Sequence, residues 1–317
     1  MTEKENLLRA FHLDHPEWIP NANTAALTIQ AWNTVRDRPA GDAYDWYGVH
    51  WKDFVVVPGE QLMNDITEWE EKVHFPDLEA IDWEKGAEID CQGIDRKKQA
   101  LWIRLPVGLF ERMHALMNFE EALMSFLLEP EETERFLDAL TDFRIRCLDK
   151  LITYYQPDII SMHDDYGTQK DLFMSPEIWR KFFKKNITRI SDYVKSRGVI
   201  FSLHSCGKVD RLIGDFVDCG IDSWDSVQPC CDIPAIYEEY GTKLSFSPFV
   251  GIQSVSGDFG TPETARQEMR WTIDTMAKHG GLIPLTNAPL CSKKMMDAME
   301  QELVEYGRDY YINNPIR

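Results

Sequence analysis

The chain of 317 residues is 44% hydrophobic and 12% aromatic, which is enough for a large folded core and argues against disorder. Its formal net charge of −19 disfavours nucleic acids and anionic membrane surfaces as partners, because both would repel it. The sequence has no run of about 18 apolar residues, and its charged first residues lack the apolar segment of a secretory signal, so we expect a cytoplasmic protein with free thiols.

The first half of the chain shows little regular periodicity. Residues 16–24 and 101–110 are its two candidate strands, and residues 119–155 are predicted to be helical. We expect residues 35–98 to form an irregular insertion over the mouth of a barrel. The aromatic-rich residues 44–51 within it either wall a pocket for a flat apolar substrate or form core beneath a long loop.

The second half of the chain alternates predicted strands with predicted helices. The strands are expected at residues 157–165, 199–206, 221–228, 243–251 and 282–287. Ser175 and Thr261 are each followed by proline, which is the pattern of an N-cap and first helical residue. Strands that alternate with helices imply a parallel sheet covered by helices. We therefore predict an α/β fold, a single (β/α)8 TIM barrel over residues 1–317; a doubly wound sheet has the same rhythm and is the alternative.

Polar side chains follow the predicted strands where they end, and barrel enzymes place their active sites there. The candidates are His163, Asp164, Asp165, His204, Cys206, Gln228, Asn287 and Cys291. In the strand at 199–206, Phe201 and Leu203 would share one face, and His204 and Cys206 the other. His204, Cys206 and Cys291 form a soft nitrogen and sulfur set that suits catalytic Zn²⁺ with an open fourth position. The alternative is that these are packing residues.

The adjacent residues Asp164 and Asp165 would face opposite ways in a strand, with Asp165 on the same side as His163. We take His163, Asp165 and Gln228 as candidate catalytic residues that line the barrel. The alternatives are that both aspartates cap the following loop and that Gln228 is a core amide with satisfied hydrogen bonds.

Four segments of the chain resemble, in order and spacing, the uroporphyrinogen decarboxylase superfamily. They are residues 164–183, 203–229, 260–270 and 279–287. That resemblance implies a (β/α)8 barrel. Residues 20–30 lack the arginine with which the true decarboxylases of this superfamily hold porphyrinogen carboxylates. The resemblance therefore favours the zinc-dependent, corrinoid-linked methyltransferases, whose His-x-Cys and distant Cys ligands match His204, Cys206 and Cys291.

Residues 44–51 and 65–84 look most like the methyltransferase I components of anaerobic O-demethylases. The resemblance implies methyl transfer from a methoxylated aromatic to the Co(I) corrinoid of a separate corrinoid protein, with Zn²⁺ as Lewis acid at the ether oxygen. The alternatives are a methylcobamide:thiol methyltransferase, a metal-free decarboxylase-like enzyme and a non-catalytic binding protein. The sequence leaves open the methyl donor, the fourth zinc ligand and the oligomeric state.

Overall fold

A computed structural model describes residues 1–251, 260–287 and 291–316 of the chain. The strands are β1 (Ala26–Ile29), β2 (Asp42–Tyr44), β3 (His50–Lys52), β4 (Val55–Val56), β5 (Ala100–Leu105), β6 (Ile159–His163), β7 (Ile200–His204), β8 (Ser223–Asp225) and β9 (Ser245–Ser247). Six of them form one parallel sheet in the order β1-β5-β6-β7-β8-β9. The other three form a small antiparallel sheet.

The parallel sheet curls back towards its first strand. On the open side of β9, Phe246 of this strand makes a single parallel bridge to Leu282, and Phe249, just after it, makes one to Leu285. One residue further on, the Thr286 hydroxyl accepts a hydrogen bond from Asn23, just before β1, at 2.8 Å. The predicted α/β barrel class is thereby confirmed, although residues 282–287 form only bridges where we predicted a strand.

Helices connect the strands and pack around this sheet. They are α1 (Glu3–Phe11), α2 (Ala22–Ala25), α3 (Trp69–Lys72), α4 (Trp83–Asp90), α5 (Leu109–Met117), α6 (Phe119–Leu128), α7 (Pro130–Tyr155), α8 (Pro176–Trp179), α9 (Lys185–Ser196), α10 (Ile213–Asp218), α11 (Ile233–Tyr240), α12 (Pro262–Met276), α13 (Lys293–Gly307) and α14 (Tyr310–Asn313). Ser175 and Thr261 are N-caps, as predicted, and each side chain accepts a backbone hydrogen bond. Within the described residues, every helix is too short or too polar to cross a membrane.

The side chains of β7 alternate as the sequence predicts. Phe201 and Leu203 pack into the main core beneath the helices, whereas Ile200 joins a second apolar cluster inside the curled sheet. Phe11 of α1 enters this inner cluster and meets Trp102 edge to face, with ring centroids 5.3 Å apart. The barrel interior is therefore packed at one end, which leaves the carboxyl ends of the strands for a site.

The predicted strand at residues 16–24 is wrong. Asn21 caps α2 there by accepting a hydrogen bond from the backbone of Asn23 at 3.0 Å, and β1 begins only at Ala26. An Asx cap of this kind competes locally with an extended conformation.

Residues 35–98 contain the antiparallel sheet, α3 and α4. Tyr47 and Trp51 are buried in the main core, so the core alternative for the aromatic-rich residues 44–51 describes them better than a pocket wall. Buried ion pairs attach this segment to the barrel: Asp37 and Asp45 both bind Arg112 of α5, and Asp37 also binds Arg144 of α7 at 2.7 Å. That the chain is a single domain with residues 35–98 as an insertion remains a prediction.

Candidate active site

The carboxyl ends of three neighbouring strands bring His163, His204 and Asp225 into one row. His163 of β6 is the register partner of His204 of β7, which is in turn the partner of Asp225 of β8. Register partners on parallel strands project to the same side of a sheet. The two imidazole rings accordingly lie with their centroids 3.9 Å apart.

Potential metal ligands converge on this row. Asp165 Oδ1 lies 3.3 Å from His163 Nε2 and 3.8 Å from His204 Nε2. Cys206 Sγ lies 3.3 Å from His204 Nε2. We refer to His163, Asp165, His204 and Cys206 as the donor cluster. In the described part of the chain, His163, Asp165 and His204 form a group whose ligand atoms all lie within 4.8 Å of one another.

The donor cluster fits a zinc ion in its chemistry and its spacing. Zinc bonds of about 2.0 to 2.3 Å at tetrahedral angles place neighbouring ligand atoms roughly 3.3 to 3.8 Å apart. The His163–Asp165, Asp165–His204 and His204–Cys206 ligand atoms lie 3.3, 3.8 and 3.3 Å apart. Cys206 lies outside the group of three whose ligand atoms are all within 4.8 Å, so it meets the cluster through His204. Nitrogen, sulfur and carboxylate oxygen are also the ligand types that zinc takes in proteins.

Cys291, the third predicted zinc ligand, does not belong to that close group. It is half-buried and packs against the main core. Residues 288–290, which precede it, lie outside the described residues. Its role as a ligand therefore stays a prediction.

The loop after β7 holds Cys206 beside the other residues of the donor cluster. The backbone N–H of Cys206 donates to Asp165 Oδ1 at 2.7 Å. The next residue, Gly207, has φ +82°, and a Cβ there would lie 2.1 Å from the carbonyl oxygen of Gly167. Only glycine fits this position.

Gln228 stabilises the same loop by hydrogen bonds to its backbone and to Gln169. Its Oε1 accepts hydrogen bonds from the backbone N–H of Gly207 at 3.1 Å and from Gln169 Nε2 at 2.8 Å. These contacts favour the core-amide alternative, and a catalytic role for Gln228 remains a prediction.

Asp164 and Asp165 do face opposite ways. Asp164 is buried and accepts hydrogen bonds from the backbone N–H groups of Leu109, Phe110 and Glu111, so it caps α5. Burial raises the pKa of Asp164 to about 6. The capping alternative is therefore correct for Asp164, except that Asp164 caps α5 and not the following loop. Only Asp165 faces the site.

Two polar groups at the end of β8 were not among the candidate site residues that the sequence predicted. Asp225 is fully buried. Its Oδ2 accepts a hydrogen bond from Arg104 at 2.5 Å, and its Oδ1 lies 3.2 Å from His204 Nδ1. The Asp225 carboxylate on Nδ1 orients the imidazole so that Nε2 faces Cys206. Ser226 has φ +70°, and its hydroxyl lies 3.1 Å from Cys206 Sγ.

Burial and neighbouring charges shift the pKa values of the donor cluster in different directions. Burial raises the pKa of Asp165, but the charge and hydrogen bond of His163 outweigh it, so this pKa lies well below its usual range. Burial lowers the pKa of His163, and Asp165 reverses the effect, so the net shift is upwards. Burial and His163 lower the pKa of His204, whereas burial and Asp165 raise the pKa of the Cys206 thiol. The shifts therefore favour the charged forms of Asp165 and His163 and the neutral forms of His204 and Cys206.

A cavity of about 770 Å³ opens above the cluster, within the usual range for small-molecule sites. His163, His204 and Cys206 form part of its lining. Its aromatic walls are Trp32, Phe54 and Phe249, none of which the sequence analysis had selected. Arg38 and Arg104 contribute positive charge to the same lining.

Comparison with known proteins places this site in a family. Residues 106–283, more than half of the chain, match the uroporphyrinogen decarboxylase (URO-D) family. A methylcobamide:CoM methyltransferase MtaA from Methanosarcina barkeri (strain Fusaro / DSM 804) is 27% identical over 158 residues, covering 46% of this chain and 42% of the relative. A second M. barkeri protein of the same name is 26% identical over 182 residues, covering 53% of this chain and 48% of the relative. The chain thus spans about half the length of the curated relatives it matches.

A solved structure shows the shared fold over nearly the whole chain. The methyltransferase from Methanosarcina mazei superposes with a TM-score of 0.72 at 16% identity and covers 96% of this chain and 99% of its own. Both curated relatives are named as methylcobamide:CoM methyltransferases, and the solved structure shows the same fold. The chain belongs to the uroporphyrinogen decarboxylase family.

Proposed function

We propose that the chain is a zinc-dependent methyltransferase that moves a methyl group from a methoxylated aromatic to the Co(I) corrinoid of a partner protein. The observation that carries this proposal is the donor cluster on the floor of an aromatic-walled cavity. Soft metal ligands beside an open, partly apolar space suit a catalytic metal that must receive a substrate.

His204, Cys206 and Cys291 are the proposed zinc ligands, and Asp165 is near enough to His204 to complete the set. When bound, zinc supplies Lewis acidity at the ether oxygen, which an aryl methyl ether needs because phenolate is a poor leaving group. The methyl–oxygen bond breaks with its electron pair going to oxygen, and cobalt supplies the pair for the new cobalt–carbon bond. His163 lines the same cavity and is the proposed donor of the proton that the departing oxygen takes.

The cavity walls favour an aromatic methyl donor. Trp32, Phe54 and Phe249 offer ring faces and edges against which a flat substrate packs. Phe249 also contacts His204, with ring centroids 6.1 Å apart, so a ring bound against Phe249 lies beside the donor cluster.

Formation of methylcob(III)alamin tests this function. We would mix the protein with cob(I)alamin and a panel of methoxylated aromatics and follow the corrinoid spectrum. Cys206→Ser should reduce the rate more than about 100-fold, because serine is a poor substitute for a thiolate ligand. Cys91→Ser, which changes a half-buried cysteine outside the cluster, is the matched control. Full activity of Cys206→Ser would contradict the proposal.

A second candidate is transfer from a methylcobamide to a thiol such as coenzyme M. The observation in its favour is that both curated relatives carry the name methylcobamide:CoM methyltransferase. An assay that starts from methylcob(III)alamin and coenzyme M separates the two candidates. Consumption of methylcob(III)alamin with coenzyme M, and no reaction of cob(I)alamin with any aryl methyl ether, would select the thiol reaction.

A further inference from the structure

Arg38 lies in the wall of the cavity and has no ion-pair partner in the part of the chain that the structure describes. Its side chain lines the space above the donor cluster. Its Nε is buried and has no hydrogen-bond partner among the described residues. No described carboxylate lies within the 4.0 Å ion-pair distance of its guanidinium.

This arrangement is costly unless a ligand compensates it. Burial lowers the pKa of Arg38, while Glu111, Asp165 and Asp37 oppose that shift from beyond ion-pair distance. Arg38 is half-buried, and its Nε loses hydration that no described protein group replaces. By contrast, Arg104 in the same lining is paired with Asp225 at 2.5 Å.

The neighbouring residue holds Arg38 in place. Asp37 is fully buried, and its carboxylate is bound by Arg144 at 2.7 Å and Arg112 at 3.3 Å. Trp46 Nε1 also donates to it at 2.8 Å. Asp37 is therefore engaged away from Arg38, and its anchored backbone presents Arg38 to the cavity in a fixed position.

A second unpartnered atom lies in the same lining. Gln30 Oε1 is buried and has no hydrogen-bond partner among the described residues. Arg38 and Gln30 also line a smaller void of about 40 Å³ together with His163 and His204. The wall next to the donor cluster thus offers an anion-binding fork and a separate hydrogen-bond acceptor.

We propose that Arg38 is an oxyanion site and that the ligand of this cavity is an organic acid. The guanidinium fork matches the two oxygens of a carboxylate or a sulfonate. A carboxylate would come from an aromatic methyl donor, and a sulfonate from an aliphatic thiol acceptor. Gln30 accepts a hydrogen bond from a hydroxyl group on the same ligand. The placement of this acid beside the donor cluster rests on the proposed function.

Calorimetric titration with three probes tests the site without corrinoid. The probes are 3-methoxybenzoate, its uncharged counterpart anisole, and 2-mercaptoethanesulfonate. The proteins are wild type, Arg38→Ala, Arg38→Lys and the control Arg36→Ala, which removes an exposed arginine two residues away. Loss of a charge-assisted hydrogen-bonded pair should weaken anion binding about 10- to 100-fold.

We expect wild type and Arg36→Ala to bind one of the two anions, Arg38→Ala to lose that binding, and anisole to be unaffected by either change. Arg38→Lys should retain part of the affinity, because it keeps the charge without the fork, and it serves as the test variant if Arg38→Ala does not fold. Binding of 3-methoxybenzoate alone assigns the acid to the methyl donor, and binding of the sulfonate alone assigns it to the acceptor.

Equal anion affinity in Arg38→Ala and Arg36→Ala would overturn the inference. It would also be overturned if anisole bound as tightly as 3-methoxybenzoate and the binding of the sulfonate did not depend on Arg38. Failure of the proposed function looks different. Anion binding that depends on Arg38 with no methyl transfer in either direction contradicts the function and leaves the oxyanion site in place.

Discussion

Gly207 is the residue whose backbone conformation fixes the position of Cys206. Replacement by alanine combines a positive φ with a Cβ 2.1 Å from Gly167 O, so the loop must move. We expect Gly207→Ala to destabilise the fold by about 1 to 3 kcal/mol and to reduce zinc affinity and methyl transfer. Gly198→Ala is a matched control, because Gly198 has φ +74° with nothing within 4 Å of its Cβ position.

The comparison separates backbone strain from displacement of the ligand loop. Urea unfolding reports the stability of both variants, and metal titration reports the site. Equal zinc affinity in the two variants would show that the loop tolerates the methyl group, against our expectation.

Single residues also explain what the sequence could not predict about the site. The alternation of β7 was read correctly, because its apolar and polar side chains follow a period of two. On β8 the same rule failed: the strand ends at Asp225, and Ser226 then adopts a positive φ. Consecutive residues therefore both reach the cluster, which no periodic pattern predicts.

At the scale of elements, the buried ion pairs join the segment before β2 to α5 and α7. Arg112 and Arg144 are both fully buried, so removing one of their carboxylates leaves a guanidinium uncompensated. We expect Asp37→Asn to lower the free energy of unfolding by about 3 to 5 kcal/mol at pH 7. Asp53→Asn, in an exposed position of the same segment, should have little effect.

The effect of Asp37→Asn should depend on pH in one direction. Burial raises the pKa of Asp37, but Arg144 and Arg112 outweigh it, and the folded-state pKa lies below the usual value. A depressed carboxyl pKa contributes stability above the unfolded pKa of about 3.9, and this contribution is lost as the pH falls through the folded-state value. The stability difference between wild type and Asp37→Asn should therefore shrink in acid. Urea unfolding from pH 7 down to pH 3 measures it, and a constant difference would refute the assignment.

These links between elements also mark a limit of sequence reasoning. The helix caps at Ser175 and Thr261 depend on residues within one turn, and both were predicted. Asp37 and Arg144 are 107 positions apart in the chain, and no local pattern connects them. The course of residues 35–98 and the position of Arg38 follow from such distant pairs. The sequence predicted only an irregular insertion over the barrel mouth, and not the position of Arg38.

At the scale of the whole molecule, residues 35–98 should unfold together with the barrel. Tyr47 and Trp51 of this segment belong to the same core cluster as Phe201 and Leu203 of β7. A continuous core favours one cooperative transition. We expect tryptophan fluorescence and far-ultraviolet circular dichroism to give coincident urea midpoints. Separate midpoints would indicate that the segment is an independent unit.

The central claim concerns the metal, and the zinc content of the purified protein tests it most directly. We would compare wild type, His204→Ala and the control His12→Ala, which changes an exposed histidine at the C-terminal end of α1. We predict about one zinc per chain in wild type and in His12→Ala, and loss of zinc in His204→Ala. Freshly purified, reduced wild-type protein without zinc, or full zinc in His204→Ala, would contradict the account.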